Sequence, residues 1–201
     1  MTTHQVARDI FLARFTSQYQ LASTFLRFQE HYESRRFRNR VFTLEQFMDW
    51  YARRFGAFTY YQDWTGFNVP STTFKAFYQG RFDPLLRKEQ RLLRRFARRR
   101  RPFYVIGITT AEDLSHELAH ALYAMRPAYK KAVRSAMRGH DTSALKRRLL
   151  AMGYHPSVLT DEVHAYLVGA HGLSRPAARL SGLRTKLRAI YRAHAAEFTG
   201  V

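Results

Sequence analysis

Apolar positions recur at helical spacing through much of the chain. Phe11 to Phe15, then Leu21 to Tyr32 ("LASTFLRFQEHY"), and then "FTLEQFMDWYARRF" behind the capping residue Thr43 predict three helices in the first 55 residues. From Gly56 the pattern breaks. "GAFTYYQDWTGFNVPSTTFKAFYQGRFDP" mixes aromatics with Gly, Asn, Pro and Asp, the composition of turns and short strands. Pro84 then opens "PLLRKEQRLLRRFARRRR", with Leu85, Leu92 and Phe96 on one side and arginines over the rest, which predicts a basic amphipathic helix ending near Pro102. "FYVIGIT", Phe103 to Thr109, is the strongest strand signal, short and rich in β-branched and aromatic residues.

Helical spacing returns for the remainder. A helix is expected from about Ala111 to Met125, another in "PAYKKAVRSAM" stopped by Gly139, and a third in "DTSALKRRLLAM" between an Asp141 cap and Gly153. Thr160 or Asp161 can cap "DEVHAYLVGA", and "SRPAARLSGLRTKLRAIYRAHAAEF" predicts a long last helix weakened in its middle by Gly182. The expected fold class is α+β and predominantly helical, with one small sheet. At 201 residues the chain suits a single domain, 1–201. Within it, 1–102 is expected to form the helical and aromatic side of a cleft, and 103–201 the metal-binding part.

Composition narrows the classes. A hydrophobic fraction of 46% with 15% aromatics is too apolar for a disordered chain. With no cysteine, disulfides and thiolate metal sites are excluded, so any metal must be held by His, Asp or Glu. The formal charge of +19, mostly from arginine, suggests acidic substrates or a polyanion partner such as nucleic acid. The opening "MTTHQVARDIFLARF" lacks the marks of a signal peptide, and no uncharged apolar run approaches the length of a bilayer span. A cytoplasmic protein is the expectation, although export by a signal-independent route would leave no trace here.

The chemistry concentrates in "LSHELAHALY". His116 and His120 are four residues apart on one helical face, close enough to reach a single ion, while Leu114, Leu118 and Leu122 fall on the opposite face. Glu117 is too far round the helix to share that metal easily but is placed to take a proton from a water bound there. Shuffling this composition gives only about 0.02 expected HExxH matches. A catalytic zinc usually takes three protein ligands, and the candidate third is Glu162 in "TDEVHAYL". On the same face one turn later, Tyr166 can steady an oxyanion or simply pack, and Asp161 can accept a hydrogen bond from the far nitrogen of a ligating histidine. His155 and His164 are alternative third ligands. The bland readings are two ordinary helix histidines and a first-turn glutamate that favours the helix dipole.

Taken together, "FYVIGIT", "LSHELAHALY" and "TDEVHAYL" resemble the zincin metallopeptidases, most closely a compact gluzincin, over Phe103 to Gly169. That resemblance implies a zincin-like fold in which a small sheet precedes the HExxH helix. It also implies zinc (Zn2+) held by His116, His120 and Glu162, Glu117 as general base, and peptide-bond hydrolysis with the strand Phe103 to Thr109 as the edge along which substrate adds. The third-ligand segment departs from the NExxSD pattern, and Tyr123 and Arg126 stand where a metzincin has Gly and His. The alternative is a basic nucleic-acid-binding or protein-interaction module. There "SRRFRNR" and "RRFARRRR" grip phosphates, Phe37 and Phe96 serve as stacking platforms, and the metal site is structural or vestigial.

Overall fold

The computed structural model describes residues 1–169 and 179–199. The fold is α+β, mostly helical, around one four-stranded sheet of order β1-β2-β4-β3. The strands are β1 (Thr2–Ala7), β2 (Ile10–Arg14), β3 (Gly66–Pro70) and β4 (Tyr104–Ile108). β1 and β2 form an antiparallel hairpin, β2 runs parallel to β4, and β3 is antiparallel to β4.

Two expectations fail here for related reasons. Phe11 to Phe15 is not a helix: Ile10–Arg14 is a strand with both faces covered. A doubly buried strand reads as a continuous apolar run, which periodicity cannot separate from a helical segment. Between the Asp9 turn (φ 62°) and Ser17, whose side chain caps the next helix, the segment is held extended by pairing with β1 on one edge and β4 on the other. The strand expected at Phe103 to Thr109 is present as β4, but it is interior rather than an edge. All five of its residues are buried, and its edges pair with β2 and β3. The edge strand on that side is β3, from a segment expected only to hold turns and short strands.

The two sheet faces are separated by the pleat. Phe11, Ala13, Phe67, Val69 and Val105 face a core dense in aromatic rings that includes Phe25 and Phe28 of α1 (Gln18–Glu33) and Phe47 of α2 (Leu44–Phe55). Two short helices, α3 (Tyr60–Asp63) and α4 (Phe74–Tyr78), and then α5 (Arg87–Phe96) complete this layer. Its Phe37 and Phe96 are buried, so neither is an exposed stacking platform. Arg27 of α1 and Glu89 of α5 form a buried ion pair, with Arg27 Nε 2.7 Å from Glu89 Oε1, and Arg27 also donates to the Phe82 carbonyl.

On the other face Ile10, Leu12, Tyr104, Ile106 and Ile108 pack against Leu114, Leu118 and Ala121 of α6 (Leu114–Met125). Beyond α6 lie α7 (Pro127–Met137), α8 (Ser143–Met152), α9 (Leu159–Val168) and α10 (Ser181–Ala195), packed around Leu122, Tyr129, Val133, Val163 and Leu187. Details of the expected boundaries shift. α5 starts at Arg87 rather than Pro84, and α6 at Leu114. Asp141 accepts from the Ser143 N–H one position before the Thr142 cap, and Gly153 ends α8 in the left-handed region. α9 starts at Leu159, ahead of both expected caps, because a 3-10 turn over Pro156–Val158 leads into it. Gly182 lies in the first turn of α10, and the start of the expected last helix, up to residue 178, lies outside the described residues. Among the described residues no helix is long and apolar enough to cross a membrane.

Candidate metal centre

α6 leaves the end of β4 after a short loop and seats on the sheet through Leu114 and Leu118, while Leu122, expected on the same face, packs with the C-terminal helices; His116 and His120 turn toward α9. Both histidines are buried, and their Nε2 atoms stand 3.1 Å apart. Glu162, in the first turn of α9 and 2% exposed, brings Oε2 to 3.7 Å from His120 Nε2. One donor atom from each of the three lies within 4.8 Å of the others. Two nitrogens bound to a tetrahedral ion at the usual zinc distances stand about 3.3 Å apart, so the pair fits a shared cation. Glu162 Oε2 is buried and accepts no hydrogen bond, as expected of an oxygen placed for a cation.

Asp161 lies behind His120, with Oδ1 3.0 Å from His120 Nδ1 and 3.3 Å from His164 Nδ1. A proton on Nδ1 that faces this carboxylate leaves the Nε2 lone pair toward the cluster. Burial alone would raise Asp161, but the charge on His120 and hydrogen bonds from His120 and His164 outweigh it and hold Asp161 at about 2. His164 is committed elsewhere. Its Nε2 meets the Tyr129 hydroxyl at 2.9 Å, and His155 sits in a loop against Ser157, so neither joins the cluster. Burial, with repulsion from Asp161 and Glu117, raises Glu162 despite the nearby His120. Surplus buried carboxylate around two imidazoles is the electrostatic setting that a divalent cation neutralises.

Glu117 is 4% exposed and is held from the sheet side. Asn68 of β3 donates from Nδ2 to Glu117 Oε2 at 2.7 Å, and the Tyr104 hydroxyl donates in turn to Asn68 Oδ1. β3 passes so close that a Cβ on Gly66 would clash with Glu117 Oε1, so any larger residue there would displace the Glu117 carboxylate. Burial raises Glu117 to about 7 against the opposing pull of His120 and the Asn68 hydrogen bond. Tyr166 packs its ring on His116, centroids 4.8 Å apart, and its hydroxyl lies 3.3 Å from that of Tyr154.

His116, Glu117, Glu162 and Tyr166 all border one open cleft of about 420 Å³. Its opposite wall comes from α1, the α3 region and the start of β3, including Glu33, Tyr60, Trp64 and Asn68. Sequence reasoning did not single out Asn68, Tyr154, Glu30 or Glu33. Asn68 alone left a signal, a lone amide between apolar neighbours in "GFNVP". In comparisons with family models, with curated proteins and with solved structures, nothing matches this chain.

Proposed function

We propose that the chain is a zinc-dependent metallopeptidase, with His116, His120 and Glu162 as ligands and Glu117 as general base. The observation that carries this reading is the convergence of three buried donor atoms within 4.8 Å beside a buried glutamate, at the wall of an open cleft. Zinc held there supplies Lewis acidity, lowering the pKa of water to about 7 and polarising the substrate carbonyl. Glu117 takes a proton from the attacking water as its oxygen joins the carbonyl carbon, then delivers that proton to the amide nitrogen as the C–N bond breaks. The products are a carboxylate and an amine. Asp161 holds the His120 tautomer, Asn68 orients Glu117, and Tyr166 stands at the cleft wall against His116, where a phenol can support developing negative charge.

The strand beside Glu117 is β3. Its Asn68 N–H already donates to Gln29 Oε1 at 3.2 Å, so the end suited to pair with an extended substrate is at Gly66. Zinc content per chain, measured after purification without added metal, tests the site. About one zinc in wild type and in Glu117→Gln, with little in Glu162→Ala, supports it; a wild-type chain that takes up no zinc on titration overturns it. Glu117→Gln should also cut peptide hydrolysis by about 10²-fold or more.

The second reading, a basic nucleic-acid-binding or interaction module, is favoured by exposed arginines on α5, Arg91, Arg94 and Arg95, and just after it, Arg98 and Arg99. The burial of Phe37 and Phe96 removes its stacking element. Affinity for DNA that falls linearly with log salt, with a slope set by the number of phosphates contacted, would support it; weak binding without that slope would not.

A further inference from the structure

The charge of the molecule is not distributed evenly. Of its fifteen Asp and Glu, six line the cleft: Glu30, Glu33, Asp63, Asp113, Glu117 and Glu162. No lysine or arginine among the described residues lines it, in a chain that carries 34 of them. Glu117 and Glu162 belong to the proposed chemistry, and Asp113 accepts from Thr65 at the start of α6. Asp63 is engaged by the Tyr51 and Thr59 hydroxyls. Glu30 and Glu33, one turn apart on α1, have no part in the mechanism.

These two glutamates border both the main cleft of about 420 Å³ and a small recess of about 40 Å³ that shares several of its walls. The recess is walled by rings: Tyr51, Phe55, Tyr60, Trp64 and Tyr154. Tyr51 and Tyr60 lie 5.6 Å apart at 86°, Tyr51 and Phe55 4.5 Å apart, and Trp64 and Tyr154 6.0 Å apart at 89°. Glu33 is 8% exposed. One of its oxygens accepts from Gln29 Nε2 at 2.6 Å, and the other has no hydrogen-bond partner among the described residues. Burial pushes both glutamates up, Glu30 to about 7, and Glu162 adds repulsion at Glu33. Among the described residues no lysine or arginine lines the recess with these two carboxylates; basic groups nearby are Arg54, stacked on the Phe55 ring at 5.4 Å, and His120, whose charge acts on Glu33. Carboxylates supply direct ion pairs and ring faces attract cations, so the two together select an ammonium or guanidinium group on an apolar stem.

We infer that the part of the cleft bordered by Glu30 and Glu33 is the subsite for a lysine or arginine side chain of a peptide substrate, with the small recess taking only its charged end, making the enzyme selective for basic peptides. The inference rests on the peptidase reading and deepens it. It reverses the expectation of acidic substrates drawn from net charge, because a peptide in the cleft meets these near charges while the arginines are screened at distance.

The test uses the full chain and a matched set of otherwise uncharged peptides that differ at one position, Lys, Arg, norleucine or Glu. Binding is read by anisotropy on Glu117→Gln, and turnover on wild type. The expected result is at least tenfold tighter binding and higher kcat/KM for the Lys and Arg peptides than for norleucine. In Glu30→Gln and Glu33→Gln, checked for unchanged melting profiles, the Lys to norleucine ratio should fall toward one. Nonspecific attraction to a +19 surface predicts the opposite order, with the Glu peptide bound best. Equal binding of Lys and norleucine peptides, preference for Glu, or no binding overturns the subsite. Turnover without basic preference removes the subsite and leaves the peptidase; basic-selective binding without any turnover removes the peptidase and leaves the subsite.

Discussion

At the scale of single residues, the proposed site is held by side chains that touch it from behind. Asn68 and Asp161 are separable in effect. Asn68 meets Glu117, so Asn68→Leu should lower kcat about tenfold or more with zinc content unchanged. Asp161 meets His120, so Asp161→Asn should weaken zinc binding by about 10- to 100-fold, measured by competition with a chelator. Glu30 gives a pH signature. Its folded-state value is raised from 4.5 to about 7, chiefly by burial, so the folded state holds the proton more tightly than the unfolded chain. Its stabilising contribution is full below pH about 4.5 and is lost as pH rises through 7. Thermal melts across that window should show wild type losing stability with rising pH relative to Glu30→Gln; parallel curves would contradict the assignment.

At the scale of elements, α1 is the member on which both halves of the cleft depend. It supplies Glu30 and Glu33 to the recess and packs against β3 through Phe25 and Phe67, which stack at 5.6 Å. Its position relative to α5 is set by the buried Arg27–Glu89 pair. Removing one partner leaves an uncompensated buried charge, so Glu89→Gln should cost about 3 to 5 kcal/mol, read as a shift in urea midpoint with unchanged slope. Arg27 and Glu89 are 62 residues apart in sequence, each on a helix whose periodicity is legible. The pairing itself leaves no mark in either pattern. The same limit produced the two errors in the sheet. Strand β2 is covered on both faces and so loses the alternation that identifies strands, while β4 looks identical in sequence whether it is an edge or interior.

For the whole molecule, the consequence is a separation of charge: a basic exterior, densest along α5, around an acidic cleft. Net charge counted from sequence averages over both and describes neither. It governs long-range encounter, whereas the groups within a few ångströms of a bound peptide govern selection. The sheet also joins the regions before and after residue 102, since β1, β2 and β3 come from the first part and β4 from the second.

Local sequence was sufficient for what repeats within a few residues: the helix carrying His116 and His120 on one face, the N-cap at Thr43, the stop at Gly153 and the strand before α6. Four-residue spacing dictates which side chains share a helical face, so the histidine pair could be placed without a fold. Only tertiary structure decided which strand is the edge, that Glu162 comes within 3.7 Å of His120, that Asn68 holds Glu117, and that six carboxylates meet in one cleft. Those contacts join positions tens of residues apart, set by how α1, α6 and α9 pack on and beside one sheet, and local periodicity carries no information about that packing.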